Sequence, residues 1–437
     1  MITNPVFLSV IAMIVLCLLK LNVLFSLLLA ALVGGALAGM PLGTTMNALV
    51  GGMGGNSSTA LSYILLGALA AALHRTGVAT VLARSIVRWV QGKGAMLLLV
   101  LAAVASLSQN LIPVHIAFIP ILVPPLLAVL NRLQIDRRAA ATALTFGLKA
   151  PYVALPVGYG WIFHGIITDQ LAENGLMVEQ GGIWRVLWIL GAAMIVGLLI
   201  AIFITYRKPR EYRDVEPEAL VAASQSEAEP KMTRRHWVAL VGAVSALAVQ
   251  VSPIGSLQIG ALLGLAIMVV GRAITWVDLD EMLHSGIGMM GFIAFVMLVA
   301  AGYGAVIRET GAVQSLVASA GGLMGGSRLI AAVIMILVGL FITMGIGTSF
   351  GTIPIIAAIY VPLAASLGFS IPATVLLIGT AAALGDAGSP ASDSTLGPTA
   401  GLNVDGQHDH IWDTCVPTFL HFNIPLIIVG VIGALML

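Results

Sequence analysis

Residues 385–399 read GDAGSPASDSTLGPT and follow directly on the apolar run 371–384, IPATVLLIGTAAAL. As a helix the apolar run rises only about 21 Å, short of a hydrocarbon core of about 30 Å. The chain then meets two aspartates, three serines, two prolines and three glycines. Either it has turned into water, with the aspartates as helix caps, or it unwinds inside the bilayer. An aspartate at the centre of a membrane helix costs about 2.5–3.5 kcal/mol, so two in one segment call for a partner or a function. A run too short to cross alone favours unwinding.

Composition sets the frame for that choice. Hydrophobic residues make up 59% of 437 positions and charged residues 9%, with a mean hydropathy of +1.05. Soluble domains carry about 25% charged residues. Several runs approach membrane-spanning length, and glycine and proline spread through them, as in packed and interrupted helices. The pattern predicts an all-α polytopic membrane protein and assigns 5–19 to a retained span. A net charge of +1 gives no reason to expect a nucleic-acid partner. Cys17 and Cys415 have neither disulfide nor metal spacing. There is no Walker loop and no nucleophile–base motif, so neither ATP-driven transport nor hydrolysis is expected, and no cofactor is implied.

The long polar stretch 207–236 divides the chain into a first membrane repeat (1–206), a linker on the cytoplasmic side and a second repeat (237–437). The halves align without gaps at an offset of 234: Thr76-Gly77 falls on Thr310-Gly311, Gly52 on Gly286, Gly54 on Gly288 and Pro120 on Pro354. Connectors of the first half are basic (Lys20; Arg75, Arg84, Arg88 and Lys93; Arg132, Arg137 and Arg138), whereas their counterparts carry little charge beyond Arg308 and Arg328. Since lysine and arginine mark the cytoplasmic side, the repeats are expected to be inverted. Odd parity then predicts about ten spans plus two re-entrant helical hairpins, at 94–130 and 327–366. Stretches 76–90 and 310–324 are expected along the interfaces.

Four apolar segments are interrupted, in matched pairs. The hairpin tips lie at 106–115 and 343–354. The later breaks lie at Lys149–Tyr159, which contains Tyr152, and at 385–399, with Pro156 and Pro390 again 234 apart. Irregular backbone survives at membrane depth only against protein or a watery cavity. Freed carbonyls then suit cations, and half-helix N-termini suit anions. The candidate ion- or substrate-binding residues are therefore Asp386 and Asp393, tentative Na+ ligands, with Ser389, Ser392, Ser394 and Thr395 as neutral oxygens. Asn110 at the first tip and Thr348 and Ser349 at the second join them as ligands or caps. Lys149 is either a snorkelling lysine or a countercharge. His115 is a proton shuttle or a packing residue, and His164 and His74 are structural. His408 and His410 lack a third metal ligand; Asp405 and Gly406 fit a turn, and Asp409 a cap.

The run 385–419, GDAGSPASDSTLGPTAGLNVDGQHDHIWDTCVPTF, and the N-terminal LKLNVLFSLLLAALVGGALAG (19–39) resemble a family of bacterial sodium/proton antiporters within the wider ion transporter superfamily. The resemblance covers the whole chain. It implies an inverted-repeat fold in the bacterial inner membrane, a homodimer with scaffold and transport regions, and Na+ and/or H+ as coupling ions for a small ion or polar solute. Some close members are regarded as amino-acid permeases, histidine among the suggested substrates. The tips read Ser108-Gln109-Asn110 and Gly347-Thr348-Ser349, not the Ser-Asn-Thr of carboxylate transporters, which argues against dicarboxylates. Alternating-access cation-coupled transport is the expectation, with an amino-acid permease and a channel as alternatives.

Overall fold

The computed structural model describes residues 3–19, 21–78, 81, 94–110, 123–213, 232–252, 254–323, 326–390 and 392–437. Every regular element among them is helical. The first half holds α1 (Pro5–Leu18), α2 (Val23–Leu37), α3 (Leu42–Gly52), α4 (Ser57–Thr76), α5 (Gly94–Asn110), α6 (Pro124–Arg132), α7 (Arg137–Ala154), α8 (Tyr159–Glu173) and α9 (Gln180–Ile200). The second holds α10 (Arg234–Val251), α11 (Leu257–Val270), α12 (Asp278–Glu309), α13 (Val313–Leu323), α14 (Arg328–Ile346), α15 (Ser349–Ser366), α16 (Ile371–Ala383), α17 (Asp393–Leu402) and α18 (Ile424–Met436).

Starts recur at a constant interval: Val23 and Leu257, Gly94 and Arg328, Arg137 and Ile371, Tyr159 and Asp393 are each 234 positions apart. The largest contact between helices joins α4 to α12, and it is reciprocal. A Cβ on Gly52 would press on Gly302; one on the equivalent Gly286 would press on the equivalent Ala68. Contacts that return when the partners are exchanged are the mark of a two-fold axis.

Among the described residues, five helical stretches are long and apolar enough to cross a bilayer: Leu42–Thr76, Gln180–Thr205, Met290–Glu309, Ser349–Ser366 and His410–Met436. Six further apolar helices have 10–17 residues. Side-chain caps set where several of these helices begin. Asn4 Oδ1 accepts from the Val6 and Phe7 amides ahead of α1, and Asn22 Oδ1 accepts from the Leu24 amide ahead of α2.

The breaks are narrower than the sequence suggested. Lys149 and Tyr152 lie inside α7, which ends at Ala154; only 155–158 is irregular. Pro156 forces its predecessor Leu155 into extended backbone (φ −116°, ψ 135°). Unwinding after α16 ends at Ser392, and the chain is helical again from Asp393, so the last part of the stretch expected to be open to 399 is helix. Residues 280–289 belong to the 32-residue α12, whose first turn carries Asp278, Asp280 and Glu281, which complement the helix dipole. The expected hairpin at 327–366 is the pair α14 and α15, joined by Gly347 (φ +77°) and Thr348. The first tip beyond Asn110, most of the stretch 76–90 and much of the linker (214–231) lie outside the described residues.

Candidate functional site

Where α16 stops, the backbone bends back on itself. Gly388 adopts φ +81°, a left-handed conformation that side chains resist, and a Cβ there would lie 2.6 Å from that of Phe419. The bend is tied down by its own polar residues. Thr395 Oγ1 donates to the Ser389 carbonyl (2.5 Å) and the Ser392 carbonyl (2.9 Å), and Ser389 Oγ donates to the Met344 carbonyl (3.3 Å). Asn423 Nδ2 takes up the Leu384 and Ala387 carbonyls at 2.7 and 2.8 Å. Carbonyls released by unwinding are thus paired with protein rather than left in a dry interior.

Asp386 sits within this bend, 6% exposed. It accepts hydrogen bonds from the Tyr152 hydroxyl, from Ser349 Oγ (2.7 Å) and from the Ser349 amide (3.3 Å), with Ser392 Oγ at 3.5 Å. Ser349 is the first residue of α15, so the positive end of that helix faces the carboxylate. Tyr152 and Ser349 are 3.0 Å apart and come from different halves. Tyr152 and Asp386 are themselves 234 residues apart, so the bond joins equivalent positions of the two repeats.

Lys149 is fully buried, which removes the snorkelling account. Its ammonium reaches Asn423 Oδ1 at 3.4 Å and lies within electrostatic range of Asp386. Countercharge and carboxylate therefore share one buried region, bridged by the asparagine that also holds the bend.

Beside Asp386 lies a cavity of about 50 Å³, lined by Asp386, Ser392, Asp393, Ser394, Gly347 and Thr348, and walled by Tyr63, Tyr152, Tyr159, Phe350, Met290 and Ile293. A water needs about 10–15 Å³ measured in this way, so the space suits an ion with a few waters or a small polar head. Of the residues expected in the site, Tyr152, Thr348, Ser349, Asp386, Ser392, Asp393 and Ser394 meet here. Ser389 and Thr395 serve the backbone instead. Asn110 ends α5, its side chain outside the described residues, as is His115 altogether. Among the described residues no group of three metal-ligating side chains gathers, and His408 bonds Thr414 Oγ1 (2.7 Å). His164 Nε2 meets the Val153 carbonyl (2.9 Å) next to the first break, a structural role.

The sequence did not single out Tyr63, Tyr159 and Phe350, whose rings pack at centroid distances of 5.7–6.2 Å along the cavity. Aromatic residues in apolar helices read as core, and only the position of Tyr159 at the end of the first break marked it. Asn423 was hidden in the last apolar run. Also unforeseen is the ion pair at one end of α7. Arg137, fully buried, clasps Asp405 with both terminal nitrogens (2.6 and 2.5 Å), bonds the Leu402 carbonyl (2.9 Å) and stacks on Tyr212 at 4.2 Å. It ties the start of α7 to the loop after α17.

Comparison with known proteins bears on this architecture. A model of the Na+/H+ antiporter family matches residues 143–431, and a second, described as a Na+-H+ antiporter family, matches 4–90. A Vibrio parahaemolyticus membrane protein is 49% identical over 99% of this chain and all of its own length. A Bacillus subtilis protein named "Putative amino acid transporter YuiF" is 46% identical over 99% of this chain and all of its own. Among solved structures, the YdaH transporter of Alcanivorax borkumensis superposes with a TM-score of 0.63 at 15% identity, covering 90% of this chain and 88% of that one. MtrF of Neisseria gonorrhoeae superposes with 0.60 at 16% identity, covering 90% and 84%. These two likenesses are of fold.

Proposed function

We propose, because the chain belongs to the Na+/H+ antiporter family, that this secondary transporter couples its fluxes at Asp386. One observation carries the reading: a buried carboxylate held by hydroxyls from both halves, beside a cavity of ionic size. Protonated, Asp386 is neutral and can remain buried at little cost. Deprotonated, it needs a cation or Lys149 to offset its charge, since an isolated buried carboxylate is heavily penalised. A Na+ entering the cavity would replace the proton, and competition for one carboxylate makes the two ions move in opposite directions. The bacterial inner membrane, with its proton gradient, is the setting in which such exchange does work.

A second reading has two supports of its own. The aromatic walls of the cavity exceed what a metal ion needs, and the Bacillus relative is named as an amino acid transporter. Here the cargo is an amino acid and Asp386 carries the coupling H+ or Na+. Uptake into proteoliposomes separates the two. Under an inward Na+ gradient, lumenal pH and labelled histidine are followed together. Proton efflux without histidine uptake supports antiport; gradient-driven histidine uptake supports the permease; neither flux refutes both.

A further inference from the structure

Three polar groups on the cavity wall have no hydrogen-bond partner among the described residues. Tyr63 is 2% exposed, yet its hydroxyl makes no hydrogen bond among the described residues. A buried hydroxyl without a partner costs about 1–3 kcal/mol, so its retention calls for a ligand. Thr348 holds the capping position of α15, but its hydroxyl caps nothing. Asp393 opens α17 with a carboxylate that has neither a hydrogen bond nor an ion pair among the described residues. All three line the same cavity as Asp386, and Tyr63 lies within electrostatic range of both aspartates.

The two aspartates differ in their surroundings. Asp386 is saturated with donors; Asp393 has none. We propose that they divide the labour: Asp386 couples, while Asp393, Tyr63 and Thr348 form a separate cargo subsite for a primary ammonium group. The match is one of valence. An R–NH3+ has three N–H donors in a tripod, and the subsite presents three oxygen acceptors, one of them anionic. The ring faces of Tyr159 and Phe350 complete the wall with the attraction that aromatic quadrupoles exert on cations. A Na+ would draw little from the rings and would leave the tripod of acceptors without its matching N–H donors. A quaternary ammonium would enjoy the rings but waste every acceptor.

The proposal rests on the reading of this cavity as the transport site, but it is tested separately from coupling at Asp386. The probe is labelled methylammonium, bound at neutral pH to the purified full-length chain in detergent, with tetramethylammonium and Na+ as competitors. Saturable binding displaced by ammonium but not by tetramethylammonium is expected. Tyr63→Phe should weaken it about tenfold or more, and Asp393→Asn should abolish it. Because Tyr63→Phe deletes an unsatisfied hydroxyl, its melting temperature should hold or rise, which a hydroxyl with a structural role would not allow. Equal displacement by tetramethylammonium, Tyr63-dependent displacement by Na+, or no saturable binding would each overturn the proposal. If methylammonium binding fails while Asp386→Asn still uncouples transport, the subsite is wrong and the coupling carboxylate stands. If binding behaves as expected while Asp386→Asn leaves coupling intact, the subsite stands and the coupling role of Asp386 is wrong.

Discussion

Substituting Asn for Asp386 separates the fold from the function at this site. The side chain keeps its shape and one acceptor oxygen, so the Ser349 amide at 3.3 Å retains a partner. The other oxygen becomes an amide donor facing the Tyr152 and Ser349 hydroxyls, and both can rotate to accept. Charge-assisted bonds of about 1.5–3 kcal/mol each weaken, but the cost of burying a carboxylate, several kcal/mol, disappears with the charge. These terms oppose each other, so the melting temperature should move little. Cation binding has no such compensation. A unit charge at about 4 Å contributes about 4 kcal/mol at the effective dielectric of a protein site, and Lys149 remains nearby to repel the ion. With water screening part of that, ion affinity should fall at least about a hundredfold. The assay is Na+-driven change of lumenal pH in proteoliposomes, with size-exclusion and thermal melting as controls on the fold. A folded Asp386→Asn protein that keeps coupled exchange with ion affinity within about tenfold of the parent would falsify the assignment.

Asp405→Asn leaves the Arg137 guanidinium buried without its counter-ion, and removing one partner of a buried pair costs about 3–5 kcal/mol. The Leu402 carbonyl and the Tyr212 ring remain, so the lower end is expected, read as a loss of thermal stability that Arg137→Met in the same chain partly restores. Burial pushes the Asp405 carboxyl up, but Arg137 and Gln407 outweigh it and hold it below the usual carboxylate range. Its folded pKa being depressed, its stabilisation is full above the unfolded carboxylate pKa and is lost as pH falls through the folded one. Asp405→Asn should therefore flatten that part of the acid-denaturation profile, and an unchanged acid limb would refute the linkage. Asn423→Ala strips the Leu384 and Ala387 carbonyls of their donor and Lys149 of its hydrogen-bond partner. At about 1–3 kcal/mol for each of the two orphaned carbonyls, stability should drop by about 2–6 kcal/mol before any contribution from Lys149; a melt within error of the parent would mean that the bend is held by other groups.

What the sequence could show was whatever depends on neighbours along the chain. Pro156 and Gly388 impose local backbone geometry, so the breaks were visible, although their extent was overstated because Ser392 caps α17 and restarts the helix only three residues after Ser389. The 234-residue register was visible because duplication preserves spacing. Partners distant in sequence were not. Arg137 and Asp405 are separated by 268 positions and Lys149 and Asn423 by 274, so nothing along the chain pairs them. Tyr63 was silent for another reason: a membrane tyrosine announces its ring through composition, but an unsatisfied hydroxyl exists only once the surroundings are assembled.

The bond between Tyr152 and Asp386 has a consequence that follows from its register. Equivalent residues of two repeats can touch only close to the axis that exchanges the repeats, so this contact marks where the axis passes. Asp393 and Tyr159, further along the same two segments, are equivalent too and interact electrostatically. In both pairs the first half supplies a phenol and the second a carboxylate. Two carboxylates at such positions would face each other at hydrogen-bond range and could not both ionise. Tyr152→Asp creates that situation and should destabilise the chain. Adding Asp386→Tyr restores one phenol and one carboxylate across the axis, now exchanged between halves. If the axis passes here, the double variant should melt above Tyr152→Asp alone. Coupling should remain impaired, because Ser349 and the N-terminus of α15 stay with the second half and no longer face the transplanted carboxylate. A double variant no more stable than the single one would show that the contact, despite its register, is not interchangeable between the halves. Alternating access needs a site reachable from both faces by motion of one repeat against the other, and a carboxylate on the axis meets that need with the least displacement.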